Sequence, residues 1–201
     1  MDLNLKNYLN LLNKEQYKAV TETEGPCLVL AGAGSGKTRV LTIRILHILL
    51  EKKAYPGQIL AVTFTNKAAN EMKERVSKLL NRPVDNMWIG TFHSLSAKIL
   101  RIHCELVGLK NNFIILDTDD QIKLIKQICE REKIDTSEKS PKYFLSLIDN
   151  FKNKGISYNN IKLSKFSEHN KEIRLIYKIY QEELLRLNCV DFGDLILHCL
   201  N

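Results

Sequence analysis

Lys37 and Thr38 carry the chemistry most plainly written in this chain of 201 residues. They close the stretch LVLAGAGSGKT, Leu28 to Thr38, in which Gly32, Gly34 and Gly36 alternate with small residues. The spacing from Ala31 to Gly36-Lys37-Thr38 is that of a phosphate loop, whose lysine reaches the β and γ phosphates and whose hydroxyl ligates Mg²⁺. Glycines let such a loop turn its backbone N–H groups inward around phosphate oxygens, and the following helix adds its positive dipole end. Lys37 and Thr38 are therefore the candidate catalytic pair, and Thr38 the candidate Mg²⁺ ligand. The pattern usually begins with glycine where this chain has Ala31, and a methyl group is tolerable there at negative φ. A glycine-rich turn with an incidental lysine is the competing reading. The apolar run before the loop and the helical period after it argue against that.

Those flanks are the elements that must position the pair. Leu28, Val29 and Leu30 read as a short strand, and Val40, Ile43, Leu46, His47 and Leu50 mark the buried stripe of a helix opening at the loop. Asn13 is a good N-cap for a helix over 14–21, with Gln16 in its first turn. The Gln16 amide has one acceptor and two donors, enough to read an adenine edge, although spacing alone fits a solvated helix residue better. Ile59 to Phe64 is a near-continuous apolar strand, and Thr65 caps a helix with Ala68, Ala69, Met72, Val76 and Leu79 in period. A third strand, Met87 to Thr91, precedes a helix from His93 to Val107 with Leu95, Ile99, Ile102 and Leu106 inward. Strands alternating with helices predict a parallel α/β sheet.

Ligand crevices in such sheets lie at the strand ends, here Thr63-Phe64-Thr65-Asn66-Lys67 and Thr91-Phe92-His93-Ser94. Hydroxyls, an amide and an aromatic face suit a single strand of nucleic acid, the aromatic stacking on a base for roughly 1–3 kcal/mol. Phe64 as core and Thr65 as a mere cap is the alternative. From Gly108 the pattern becomes helical, apart from a short apolar stretch at Phe113 to Leu116. Thr118 with Gln121 reads as a capping box, Ser140-Pro141 opens another helix, a long one runs near Glu168 to Asn188, and Asp191 caps the last. Lys152, Lys154, Lys162 and Lys165 flank a loop that could touch a nucleic-acid backbone, although a solvated face is the commoner origin of such a cluster.

Composition sets the class: 44% hydrophobic and 26% charged residues, with no run of 18 apolar ones, describe an ordinary soluble protein. Met1 to Asn13 lacks the basic-then-apolar block of a leader, so the expectation is a cytoplasmic protein without a membrane partner. The five cysteines are scattered and never in CxxC spacing, which argues against disulfides or zinc and for reduced, mostly buried thiols. Net charge is +7, and residues 1–110 hold all of the excess, 16 Lys and Arg against 9 Asp and Glu, while 111–201 balance at 14 each. A basic half around a phosphate loop points, weakly, to a polyanionic partner.

These residues resemble one family closely, the amino-terminal part of the superfamily 1 DNA helicases of the UvrD/PcrA/Rep group. AGAGSGKTRVL at 31–41 is similar to its Walker A, Leu12-Asn13 with Gln16 and Ala19 to its adenine-reading Q motif, AVTFTNKAANEMKERV at 61–76 to its motif Ia, and GTFHSL at 90–95 to its motif Ib. The helical stretch resembles the inserted subdomain 1B, and VDFGDLI at 190–196 the return into subdomain 1A. The likeness covers the whole chain. It implies an incomplete RecA-like P-loop NTPase parallel sheet with an inserted helical subdomain, divided into 1–110, 111–189 and 190–201. It implies ATP and Mg²⁺, with nucleotide contacts from Gln16, Ala31, Gly32, Ala33, Gly34, Ser35, Gly36, Lys37, Thr38 and Arg39. Single-stranded DNA would meet Thr63, Phe64, Thr65, Asn66, Thr91 and His93, with a duplex junction and the remainder of the motor, on the same or another chain, as further partners.

The family's DExxQ Walker B segment, its γ-phosphate arginines and its second motor domain have no counterpart in these residues. Such groups position water and stabilise charge in phosphoryl transfer. The expectation is a portion of a 3′-to-5′ helicase that binds ATP better than it hydrolyses it and does not unwind DNA by itself. The alternative is a non-catalytic DNA-binding or interaction module from a truncated or split helicase gene. A small-molecule phosphotransferase is a third class, for which the sequence supplies no acceptor site.

Overall fold

The structure, a computed structural model, describes residues 6–161 and 168–200. Lys162 and Lys165 of the basic cluster lie outside the described residues. Contacts divide the chain into two compact units, Met1–Leu95 and Ser96–Asn201. No helix among the described residues is long and apolar enough to cross a membrane.

The first unit is built from α1 (Lys14–Thr21), α2 (Lys37–Leu50), β1 (Leu60–Thr63), α3 (Asn66–Leu80) and β2 (Trp88–Thr91), and it contains the start of α4 (Phe92–Ile102). Strands β1 and β2 pair in parallel with Leu60 opposite Trp88 and Thr63 opposite Thr91. Their crossover is α3, whose Ala69, Met72 and Val76 recur at helical spacing and are all buried. Ile45 of α2, Ile59, Ala61 and Ile89 complete that core with Val84 and Met87. Thr65 caps α3 as its spacing requires, accepting the Ala68 N–H at 3.2 Å. Gly90 permits a close approach of β2 to α4: a Cβ there would stand 2.6 Å from Ser94 Oγ.

Two expectations for these elements are corrected. Leu28 to Leu30 form no strand, and Leu28 and Leu30 are 85% and 88% exposed. An apolar run becomes a strand only with a neighbour to bond its edge, and the described sheet of this unit holds β1 and β2 alone. The helix after β2 ends at Ile102 and tightens into a 3₁₀ turn over Cys104–Val107. Leu100 and Cys104 then point inward, while Ile99, Ile102 and Leu106 are exposed. Adjacent apolar residues at 99 and 100 let the period be read on either face, and the break at His103 resets it.

The second unit pairs β3 (Ile114–Ile115) in parallel with β4 (Cys189–Val190) and surrounds them with α5 (Thr118–Arg131), α6 (Pro141–Asn153), α7 (Glu168–Arg186) and α8 (Phe192–Leu200). Its core runs through Ile125, Ile128, Phe144, Ile148, Ile176, Tyr177 and Tyr180. Asp117, not Thr118, caps α5, accepting from the Asp120 N–H at 2.9 Å. A carboxylate one residue earlier outcompetes the hydroxyl, and Gln121 donates instead to the Leu116 carbonyl at 3.1 Å. Cys104, Cys129 and Cys189 are buried, Cys27 and Cys199 exposed, and all five are free thiols.

Lys152 contradicts both readings of the basic cluster. Its side chain is fully buried, with its ammonium 2.5 Å from Asp191 Oδ2 and 2.7 Å from Asp194 Oδ1. Asp191 caps α8 through the Asp194 N–H at 2.9 Å, and Tyr180 donates to Asp191 at 3.0 Å. A Cβ at Gly193 would lie 2.9 Å from Lys152 Cδ, so glycine in DFGD makes room for the lysine stem.

Candidate functional site

The loop after Ala31 takes the shape its glycines allow. Gly34 and Gly36 adopt φ of 75° and 82°, the left-handed region where a side chain is strained. Alternating signs of φ turn successive N–H groups to one side, a nest suited to an anion. Ser35 Oγ donates to the Gly32 carbonyl at 2.7 Å and closes the turn. Nothing lies within 4 Å of a Cβ built at Gly32 or Gly34, which leaves the mouth open. Gly36 is the N-cap of α2, and Val40 N–H donates to its carbonyl at 2.9 Å. The positive end of α2 therefore begins at the loop.

Lys37 lies across this loop. Its Nζ donates to the carbonyls of Ala31 at 3.2 Å and Gly32 at 2.6 Å, which leaves a third donor for a ligand. The ammonium is fixed at the loop by the loop's own backbone. Thr38 follows at the second residue of α2, exposed, its carbonyl accepting from Thr42 Oγ1 at 2.7 Å.

Gln16 reaches the loop from α1. Asn13 caps that helix, accepting the Gln16 N–H at 2.8 Å while Gln16 Oε1 accepts from Asn13 N–H at 3.2 Å. The other end of the same amide, Nε2, donates to the Ser35 carbonyl at 3.0 Å. A Cβ at Gly36 would come within 3.2 Å of that nitrogen, so glycine is also what lets Gln16 sit so close. Gln16, Ala31, Gly32, Ser35 and Lys37 line one cavity of about 570 Å³, together with Asn13, Cys27, Leu41 and Arg44. Arg39 lines a different cavity of about 330 Å³, with Tyr8, Arg75 and Lys78. Arg44 and Cys27 were not singled out from sequence. Arg44 stands two helical turns beyond Lys37 on the same face of α2, which its spacing of seven residues could have revealed.

The strand ends form a second constellation in the same unit. Phe64 is 96% exposed, which removes the core reading, and Thr65 does act as the cap. Thr63 Oγ1 donates to the Thr65 carbonyl at 3.1 Å. Thr91 is locked to the helix after it, its N–H donating to Ser94 Oγ at 2.9 Å and the Ser94 N–H to Thr91 Oγ1 at 3.2 Å. Asn66 Oδ1 lies 3.4 Å from Thr91 Oγ1, so residues from both strand ends meet. His93 is exposed in the first turn of α4. Phe92, not singled out from sequence, is 59% exposed beside it; the Thr-Phe pair that ends both strands was its signal.

A family model for the UvrD/REP helicase N-terminal domain matches residues 12–201. The chain belongs to the UvrD/REP helicase N-terminal domain family. It is 44% identical over 193 residues to "ATP-dependent DNA helicase PcrA" of Staphylococcus aureus, covering 96% of this chain and 26% of that protein. A helicase of the same name from Staphylococcus epidermidis is 44% identical over 190 residues, with 94% and 26% covered. The chain thus spans about a quarter of the length of these UvrD/REP-family relatives. Its mixed α/β architecture with short parallel sheets is consistent with that family's N-terminal domain.

Proposed function

We propose that this chain is the ATP- and single-stranded-DNA-binding amino-terminal portion of an ATP-dependent 3′-to-5′ DNA helicase, with a RecA-like P-loop fold. Residues 1–110 are its nucleotide-binding subdomain, 111–189 the helical insertion and 190–201 the start of the return. The observation that carries this reading is the arrangement of Lys37 across the Ala31 and Gly32 carbonyls with Gln16 on Ser35, around one cavity. It supports a nucleotide whose base lies toward Gln16 and whose phosphates lie in the nest. The N–H groups of Gly34 and of Gly36 to Thr38 and the third Lys37 donor suit phosphate oxygens, with Ala33 inside the loop and Arg39 just beyond it. Mg²⁺ fits the Thr38 hydroxyl together with phosphate oxygens, and it would neutralise charge on the phosphates when bound.

Thr63, Phe64, Thr65, Asn66, Thr91 and His93 are the proposed contacts to single-stranded DNA, with hydroxyls and amide on the backbone and Phe64 under a base. A duplex junction and the rest of the motor are the remaining partners. The names of the relatives, ATP-dependent DNA helicases, support the assignment of both ligands. The isolated chain binds ATP with Mg²⁺ and turns it over poorly. Filter binding of a labelled dT oligomer, with ATP turnover measured alongside, tests this: retention of the oligomer with little phosphate release is expected. Rapid DNA-independent turnover, or no retention at low salt, would overturn it.

A further inference from the structure

We propose that Arg44 is a positioning residue that gives the nucleotide cavity its selectivity for adenine, an inference that rests on the ATP-binding reading above. Lys37, Val40, Leu41 and Arg44 all line the cavity, one stripe of α2 at steps of three and four. Arg44 does not aim its guanidinium at the phosphate loop. Its Nη1 donates to the Ala19 carbonyl at 2.5 Å and to the Glu22 carbonyl at 2.6 Å. Glu22 is the C-cap of α1, so both acceptors belong to the end of that helix, where carbonyls lack intrahelical partners. A guanidinium there satisfies them and meets the negative end of the helix dipole.

The opposite end of α1 carries Gln16, tied to Ser35 of the loop. Helix α1 has only eight residues and buries just Ala19 and Val20. A helix that short has little stability of its own and holds its orientation through what it touches. Beside the packing of Ala19 and Val20, Arg44 and Gln16 are its polar ties, one at each end, to the phosphate loop and its helix.

The hydrogen-bond count of Gln16 shows why orientation matters. One N–H of Nε2 is used on Ser35 and one lone pair of Oε1 on Asn13 N–H. One donor and one acceptor lone pair remain, the pair that adenine N7 and its exocyclic amino group require. Uracil held with the same edge toward Gln16 offers O4 but only a C5–H beside it, and so satisfies one of the two. The phosphate nest, by contrast, is held by Ser35, Gly32 and Lys37 without help from Arg44. Loss of Arg44 therefore lets α1 swing and degrades base reading while leaving triphosphate holding.

The test competes ATP and UTP, each with Mg²⁺, against a fluorescent triphosphate on the full chain, in wild type, Arg44→Met, Arg44→Lys, Gln16→Ala and Arg44→Met/Gln16→Ala. Arg44→Met is expected to lower ATP affinity at least tenfold, toward that of UTP, with UTP within twofold of wild type. Arg44→Lys, whose ammonium can replace part of the carbonyl pairing, recovers part of the discrimination, and adding Gln16→Ala to Arg44→Met removes little more. Hydrogen exchange reads the same claim without nucleotide: the Ala19 and Val20 amides are expected to exchange at least tenfold faster in Arg44→Met, with Met72 and Val76 of α3 unchanged. Equal loss of ATP and UTP, or unaltered exchange in α1, would overturn the proposal. Wild-type chain that binds neither nucleotide would overturn the selectivity claim with the reading beneath it, whereas Arg44→Met failing alone would leave that reading standing.

Discussion

Thr63 and Thr91 are register partners in the parallel pair of β1 and β2, and each is followed at once by an exposed phenylalanine. Two parallel strands that end in step present their next residues at one level, so Phe64 and Phe92 leave the sheet side by side in sequence position. If the chain holds single-stranded DNA as proposed, two aromatic faces next to hydroxyls would serve as a stacking platform for successive bases, with phosphates on the small donors.

Phe64→Ala and Phe92→Ala are each expected to weaken dT-oligomer binding by about 1–3 kcal/mol, roughly fivefold to more than a hundredfold. Fluorescence anisotropy at fixed salt measures this. Loss at Phe64 alone would confine the platform to β1.

Lys152 in the second unit is the sole ammonium between Asp191 and Asp194 among the described ion pairs, and all three side chains are buried. Lys152→Met would leave two buried carboxylates without their counter-charge, which costs on the order of 3–5 kcal/mol. Urea unfolding, with exchange of α6 and α8 amides to locate the effect, should register that loss.

Burial raises the Asp194 carboxyl above its ordinary 3.8, and the nearby Asp191 carboxylate adds to the rise that Lys152 only partly offsets. The folded unit then holds the Asp194 proton more tightly than the unfolded chain does. Stability from this group is greatest at low pH and falls as pH climbs above the unfolded carboxylate value. Burial raises Asp149 as well, with the same sign, whereas the Arg131 and Arg186 hydrogen bonds lower Glu183, with the opposite sign. Asp194→Asn should therefore flatten the difference in unfolding free energy between about pH 4 and pH 7. An unchanged slope in denaturant titrations would contradict it.

Leu28 and Leu30 stand almost fully exposed just before the phosphate loop, in a run with high strand propensity. Exposed runs of this kind pair with other chains. The isolated chain is expected to self-associate, and Leu28→Lys with Leu30→Lys to shift it toward monomer in sedimentation velocity. A wild-type monomer at high concentration would speak against this.

Local signals made much of the molecule legible in sequence. Asn13, Thr65, Ser140 and Asp191 all cap the helices that their side chains suggested, because a cap is decided within four residues. The loop from Ala31 to Thr38 and the reach of Lys37 are likewise local. What sequence could not supply depends on distant partners. Leu28 to Leu30 needed a neighbouring strand, Lys152 found Asp191 across 39 positions, and Arg44 found Ala19 across 25. Gln16 illustrates the boundary: its cap to Asn13 follows from spacing, its bond to Ser35 only from the packing of α1 on α2.

The central claim is that the cradle around Lys37 holds a triphosphate. Calorimetric titration of the chain with ATP and Mg²⁺, beside Lys37→Ala, tests it most directly. Saturable one-to-one binding that Lys37→Ala abolishes or weakens at least tenfold is the predicted result, and binding unaffected by Lys37→Ala, or absent from the wild-type chain, would contradict it.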